Sequence, residues 1–317
     1  MKINILKSIK DFCLKEEILQ RQDDRAYINY LESLLIKHLY PEIKQTNYIR
    51  KKNNNNKAIV SLAIGDLYKN SWYLSFKESW EKYCDLYGYD LIVFGEYLDS
   101  SEKALNKSPA WQKLLTLKHE IIKDYKQVVW VDSDIMINYK NAPDISEGVP
   151  QHKIGIIKEY GDKENDLFWG YWQKKPLNKT YTQFKHPNQK YFDRSGIKEE
   201  LNKIYNTGVM VCNPNIHGDL FLETYNKYEQ IPVIRRFEQP FLNLELQKKN
   251  LIYELNPKFN VLLIHLLNHL DEKKSNLTIQ KQILKENFQN SYFFHLAGEL
   301  GEVKRRILAK ELEEIIA

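Results

Sequence analysis

The sequence predicts an α/β protein with a mostly parallel, twisted, doubly wound sheet flanked by helices and a helical N-terminal extension. Three observations lead there. Apolar strand-like runs alternate with helical patterns between residues 58 and 132. The run "KKNNNNK" at 51–57 reads as a polar linker separating that alternation from a helical start. The chain has 317 residues, 43% of them hydrophobic, enough to bury a core on both faces of such a sheet.

Residues 3 to about 45 show helical spacing, clearest in Tyr27, Tyr30, Leu31, Leu34, Leu35, His38 and Leu39. Residues 1–56 are therefore the extension and 57–317 the main α/β domain. "AIVSLAIG" (58–65) is an apolar strand ending at Gly65 and Asp66. A helix follows through "SWYLSFKESWEKYCDLYG", with Trp72, Phe76, Trp80 and Cys84 at four-residue intervals. "DLIVFG" (90–95) is a second strand. "SPAWQKLLTLKHEIIKDY" (108–125) is a helix with Pro109 in its first turn, and "QVVWVD" (127–132) a third strand. This order builds right-handed parallel crossovers, in which ligands bind beyond the carboxyl ends of the strands. From 160 to 200 the periodicity dissolves into a polar and aromatic excursion, a length that reads as a functional lid or excursion. "NTGVMVCNP" (206–214) is a strand opening with a turn-like Asn-Thr-Gly. Helical patterns at 219–229 and 237–249, the apolar runs "VLLIHLL" and "YFFHLAG", and a charged helix at about 301–315 complete the chain.

Composition excludes several function classes. A net charge of +5, from 47 basic and 42 acidic residues without a long basic block, makes nucleic acid an unexpected partner. Small phosphorylated ligands or an acidic membrane surface suit that mild excess. Cys13, Cys84 and Cys212 form neither a disulfide framework nor a cysteine zinc pattern. No apolar stretch reaches the roughly 18 residues of a membrane span, and the N-terminus is too charged for a signal peptide. A complete cytoplasmic protein is expected, with the sequons at Asn178 and Asn276 as chance matches. The 13% aromatic content is rich and suits stacking on flat ligands or sugar faces as well as core packing.

The chemistry concentrates in "VVWVDSDIMI" (128–137). Four apolar residues commit the strand to the interior, so Asp132 and Asp134 emerge where it leaves the core. Two carboxylates at i and i+2 in a strand-end turn suit a hard divalent cation, Mn²⁺ or Mg²⁺, that keeps open positions for diphosphate oxygens. The competing reading is one aspartate capping the turn and the other in water.

The stretch "SPAWQKLLTLKHEIIKDYKQVVWVDSDIMI" resembles the nucleotide-sugar-dependent glycosyltransferases of the GT-A fold, in particular the retaining galactosyl-, mannosyl- and xylosyltransferase families and the glycogenin-like ones. "NTGVMV", "EQPFLN" and "HLAG" follow in the order of that family, and the likeness covers about residues 57 to 300. It implies that Asp132, Asp134 and His295 hold a divalent metal on the diphosphate of a UDP- or GDP-sugar. It further implies that Ala63, Ile64, Gly65, Asp66, Lys113, Ser133 and Gly298 line the nucleotide. Asn206, Glu238 and Gln239 would serve the reaction at the sugar, while Gly208, Trp169 and Trp172 would meet the acceptor. One position departs from the pattern: Gly301 stands where the glycogenin-like families carry a lysine, so Lys304 or Arg305 would take over the phosphate contact or serve as surface charges.

Each assignment has a plainer counterpart. His295 would be a satisfied core histidine, the reading also given to His265 and His269. Lys113 would be a solvated helix face, Asp66 a cap, Asn206 and Gly208 a turn. Glu238 would be a helix-terminal acid ahead of Pro240. The activity expected is metal-dependent transfer of a hexose or pentose from a nucleotide-diphosphate sugar to a saccharide or glycolipid acceptor, with retention. A sugar nucleotidyltransferase and a catalytically decayed nucleotide-sugar binder are the alternatives; "AIGDLYKNSW" lacks the Gly-rich basic loop of the former. For residues 1–56 the sequence leaves a brace, a homodimer contact and a peripheral attachment at the inner membrane face open.

Overall fold

The structure, a computed structural model, describes residues 46–51, 56–160, 191–193, 195–201, 203–228, 237–263, 277–297 and 302–316, without the side chains of 103, 160, 277–281 and 302–304. The expected extension at 1–45, most of the 160–200 excursion with Trp169 and Trp172, His265 and His269, and Gly298 and Gly301 lie outside the described residues, as does the Lys304 side chain.

A seven-stranded sheet carries the fold, in the order β1-β3-β2-β4-β7-β6-β8. Its strands are β1 Tyr48–Arg50, β2 Lys57–Leu62, β3 Asp90–Phe94, β4 Gln127–Val131, β6 Ile154–Tyr160, β7 Ile204–Cys212 and β8 Ile252–Glu254. The β3-β2, β2-β4 and β6-β8 pairings are parallel; β1-β3, β4-β7 and β7-β6 are antiparallel. Two of the three parallel pairings build the β3-β2-β4 unit that the alternating pattern foretold, and the third joins β6 to β8. β1 lies N-terminal to the asparagine run, so the sheet begins before the linker-like segment. A second sheet joins β5 Ile135–Ile137, β10 Phe293–His295 and β9 Val261–Leu262.

Alternation along the strands gives two cores, one on each face, as expected for a sheet covered on both sides. Ile59, Val129, Val131, Val209 and Val211 point into one, with Trp72, Phe76 and Trp80. Ala58, Val60, Val128, Trp130, Met210 and Cys212 point into the other, with Trp111, Leu114 and Leu117.

Three elements differ from the sequence reading. The helix expected through 71–88 is two, α1 Asp66–Ser75 and α2 Lys77–Tyr87, broken at Phe76 with φ −124°. A four-residue repeat advances about 40° per step on a helix of about 3.6 residues per turn, so one straight helix would carry Trp72 and Cys84 apart. The break re-aims them, and Gly88 (φ 71°) ends α2 in the left-handed conformation. The helix expected at 108–125 is a 3-10 helix, Pro109–Lys118, after the short α3, Glu102–Leu105. Its buried Trp111, Leu114 and Leu117 recur every three residues, the 3-10 period, and extended His119 stops it. Asn206-Thr207-Gly208 is no opening turn. It lies inside β7, where the β6-β7 register shifts from Ile156 opposite Met210 to Ile157 opposite Asn206, a bulge.

The remaining helices are α4 Pro214–Lys227, α5 Gln239–Lys248, α6 Leu277–Asn290 and α7 Glu302–Ile316, with a 3-10 turn at Pro257–Asn260. Among the described residues no helix is long and apolar enough to cross a membrane.

Candidate active site

Strand direction brings the chemistry together. Antiparallel pairing sets the start of β7 beside the carboxyl end of β4, and the Asp132 amide donates to the Gly208 carbonyl at 2.7 Å. β10, antiparallel to β5, delivers His295 opposite Ile135, next to Asp134. The turn between the aspartates is held from both sides. The Leu296 amide donates to the Asp134 carbonyl at 3.0 Å, and the buried Trp80 indole to the Ile135 carbonyl at 2.7 Å. α5 is fastened to β7 by Asn243, which accepts from the Tyr205 amide at 2.7 Å and donates to its carbonyl at 2.8 Å.

Around Asp132 the contacts are ionic. The Lys113 ammonium, 5% exposed, lies 3.1 Å from Asp132 Oδ1 and 2.8 Å from Glu238 Oε1, and donates to the Thr207 carbonyl at 3.2 Å. Burial works to lower the lysine's pKa, but the carboxylates of Asp132 and Glu238 outweigh it and hold the pKa above the ordinary value. Trp130 Nε1 also donates to Asp132 Oδ1, at 2.8 Å. Glu238 is 1% exposed; its Oε1 accepts from the Thr207 hydroxyl at 2.8 Å, while Oε2 has no partner among the described residues.

Around Asp134, His295 Nε2 sits 3.1 Å from Oδ1 and Arg305 Nη2 3.8 Å from Oδ2. Burial raises the carboxyl's pKa, but His295 and then Arg305 overcome it and bring it to about 2. The imidazole's pKa is lowered by burial yet raised overall, chiefly by the Asp134 carboxylate and further by Asp132. Gly208 explains how the ring comes so close: a Cβ there would lie 2.7 Å from His295 Cε1.

Gln239 is half-buried, the more open of the Glu238-Gln239 pair. Its Oε1 accepts from the Thr207 amide at 3.1 Å, and its Nε2 donates to the Tyr191 hydroxyl at 2.9 Å and Glu159 Oε2 at 3.3 Å. Asn206 Nδ2 donates to the same Glu159 oxygen at 2.9 Å.

Of the sequence-expected residues, Lys113, Asp132, Asp134, Asn206, Gly208, Glu238, Gln239 and His295 form this connected set. Ser133 lies in the turn between the aspartates. Gly65 (φ 86°) and exposed Asp66 stand beyond the carboxyl end of β2, and Asp66 pairs with Lys69 at 3.3 Å in the first turn of α1 without capping it. Ala63 is buried and hydrogen-bonds through its amide to the Phe94 carbonyl, while Ile64 is half-buried. The sequence reading missed Glu159, Thr207 and Asn260. Asn260, polar at the head of an apolar run, carried a faint signal; a glutamate late in a strand and a threonine between motif residues carried none.

The donor chemistry suits a hard cation. Asp132 and Asp134 offer carboxylate oxygens, and His295 turns a ring nitrogen toward Asp134. In the arrangement described the three are not gathered around one point: among the described residues no group of three or more His, Cys, Asp or Glu is set to hold a metal ion. Asp132 Oδ1 is taken up by Lys113 and Trp130 instead.

No protein-family model matches the chain, and no curated protein does. Among solved structures it is similar to a glycosyltransferase involved in the glycosylation of the major capsid of PBCV-1, at 15% identity and a TM-score of 0.47 over 81% of this chain and 99% of that one. It is similar to the galactosyltransferase LgtC in complex with donor and acceptor sugar analogues, at 13% identity and a TM-score of 0.47 over 82% and 95% of the two chains. The bifunctional glycosyltransferase WbbM aligns at 10% identity and a TM-score of 0.46 over 84% of this chain, which spans half of that one.

Proposed function

We propose that the chain is a metal-dependent glycosyltransferase that moves a hexose or pentose from a nucleotide-diphosphate sugar, a UDP-sugar in the first instance, to a saccharide or glycolipid acceptor with retention of configuration. The observation that carries the reading is the convergence, at the carboxyl end of β4, of Asp132 and Asp134 with side chains from three distant segments: Asn206, Glu238 with Gln239, and His295. Acidic groups dominate there. Asp132, Asp134, Glu238 and Glu159 face Lys113, Arg305 and His295, and Lys113 is already shared between two of the carboxylates. A diphosphate approaching such a site needs additional positive charge, which a divalent ion brings.

Asp132, Asp134 and His295 would hold that ion, Mn²⁺ or Mg²⁺. Bound there, it would supply Lewis-acid stabilisation to the departing nucleoside diphosphate. The chain's own groups do the rest. Glu238, buried and tied to Lys113 and Thr207, supplies a fixed negative charge near the reacting carbon, suited to an oxocarbenium-like transition state. Gln239, held by Thr207, Tyr191 and Glu159, presents an oriented amide to the sugar. Gly65 and Asp66 border the nucleotide. The aromatic segment around Trp169 and Trp172 would meet the acceptor and exclude water. The setting that goes with this reading is cytoplasmic, at or near a membrane on which a polysaccharide is built.

The test is thermal unfolding with UDP, GDP and their sugars, with and without Mn²⁺. A ligand at about a hundred times its Kd stabilises by roughly 2.7 kcal/mol, a shift of several degrees. The expected result is a Mn²⁺-dependent shift with one nucleotide family, abolished in Asp134→Ala, together with slow hydrolysis of the matching sugar donor. No metal-dependent shift, or an Asp134→Ala response equal to the wild type, refutes the proposal. Binding without hydrolysis or transfer would point to the decayed binder, and pyrophosphate release from a nucleoside triphosphate and a sugar phosphate to the nucleotidyltransferase.

A further inference from the structure

Beside Glu238 and Gln239, hydrogen-bond donors are spent on the protein itself. The Lys113 ammonium has three N–H groups and three acceptors: Asp132 Oδ1, Glu238 Oε1 and the Thr207 carbonyl. The Gln239 amide is oriented by an obligate donor. The Thr207 backbone N–H lies 3.1 Å from one end, so that end is the oxygen. The other end is the NH2, whose two hydrogens meet Glu159 Oε2 at 3.3 Å and the Tyr191 hydroxyl oxygen at 2.9 Å. Tyr191 therefore takes a hydrogen from Gln239 and turns its own proton toward another group. Burial, and then the Glu159 carboxylate, push the Tyr191 pKa well above the usual tyrosine value, so the proton stays on at neutral pH. The ring is held in place, partly buried against the core and edge-on to fully buried Phe192 at 5.1 Å between centroids.

We propose that Tyr191 binds the substrate, its hydroxyl donating a hydrogen bond to an oxygen of the transferred sugar. The assignment rests on the function proposed above, which sets Glu238 and Gln239 at that sugar. A sugar hydroxyl gives one hydrogen and takes others. Ionised carboxylates such as Glu159 and Glu238 accept what it gives but offer its oxygen nothing. Lys113 and Gln239 have already committed their N–H groups, whereas Tyr191, 2.9 Å from the Gln239 amide, keeps an O–H to give. Tyr191 belongs to the 160–200 excursion, which by this contact reaches the transferred sugar and not the acceptor alone. A site with a directed donor at one sugar oxygen discriminates against sugars that lack an oxygen there, which makes Tyr191 a specificity-determining residue.

The test compares the full-length wild type with Tyr191→Phe, which keeps the ring and its packing on Phe192 and removes only the hydroxyl. Calorimetric titration in the presence of Mn²⁺ gives the affinities of UDP, UDP-glucose, UDP-galactose and UDP-xylose, and of GDP and GDP-mannose. The quantity read is the ratio of affinities for the sugar nucleotide and for its bare nucleotide. For the sugar that the wild type holds best, that ratio is expected to fall about 10-fold in Tyr191→Phe, because a sugar oxygen is left without its donor. A folded Tyr191→Phe with an unchanged ratio overturns the proposal. So does an equal loss for nucleotide and sugar nucleotide, which would mark a general distortion of the site. A Tyr191→Phe protein that does not fold shows that the hydroxyl serves the fold, and overturns it as well. Wild-type protein that binds none of these nucleotides refutes the glycosyl-transfer reading and this inference with it; wild-type binding with an indistinguishable Tyr191→Phe refutes the inference alone.

Discussion

Replacing Lys113 by methionine would remove an ammonium from between two carboxylates while leaving an apolar chain in its slot. Asp132 is 29% exposed and keeps the Trp130 indole N–H, so its share of the loss is small. Glu238 has no such outlet, because its side chain is 2% exposed and only the Thr207 hydroxyl remains on Oε1. A buried carboxylate stripped of its counter-ion takes up a proton rather than carry the charge. An ordinary glutamate titrates near ~4.3, so protonating one at pH 7 costs roughly 4 kcal/mol at ~1.36 kcal/mol per unit. That agrees with the ~3–5 kcal/mol typical of breaking a buried pair from one side. By the same arithmetic the cost falls to about 1 kcal/mol at pH 5. The sign follows from linkage: the folded variant binds a proton that its unfolded chain does not, so its stability relative to wild type falls as pH rises from 5 to 7. Urea unfolding of both proteins across that range measures the difference. A loss below about 1 kcal/mol at pH 7, or one that does not vary with pH, would show that Lys113 does not carry the burial of Glu238.

Gly208→Ala would set a Cβ 2.7 Å from His295 Cε1 and 2.8 Å from Asn206 Oδ1, groups whose hydrogen bonds leave them nowhere to retreat. A loss of about 1–3 kcal/mol is expected from thermal unfolding, together with a weakened Mn²⁺-dependent nucleotide shift; wild-type values for both would refute the close approach. Asp134 gives an acid limb. Its carboxyl is drawn from 3.8 to about 2, so its ionised form adds on the order of 2 kcal/mol above pH 4, lost as pH falls toward 2. His295→Gln should flatten that limb in urea midpoints between pH 5 and 2, and an unchanged limb would place the acid sensitivity elsewhere.

Legibility followed the range of the signal. β2, β3, β4 and β7 stood out because burial on both faces leaves uninterrupted apolar runs such as Val128 to Val131. β1, β5, β8 and β9 are two or three residues long, too short for any period to show, and exist because a neighbouring strand offers an edge. The break at Phe76 and the 3-10 winding of Pro109–Lys118 were hidden for another reason. Apolar residues every four and every three positions both look helical, and only packing decides which turn the backbone takes.

At the site, residues whose own chemistry is unusual for their surroundings were legible: two aspartates ending an apolar strand, a histidine inside another, an acid and an amide at the start of a helix. Their mutual engagement was not. Lys113 read as a cation for the nucleotide, yet its ammonium is occupied by Asp132, Glu238 and the Thr207 carbonyl. Asn206-Thr207-Gly208 read as a turn because asparagine and glycine favour turns, whereas here Gly208 answers to a histidine 87 residues away. Direction was hidden most deeply. No pattern of residue types says which end of Asn206 accepts, and that choice passes on to Asn260. It is settled by a backbone N–H, a group every residue but proline possesses, which beside the bulge in β7 meets a side-chain oxygen.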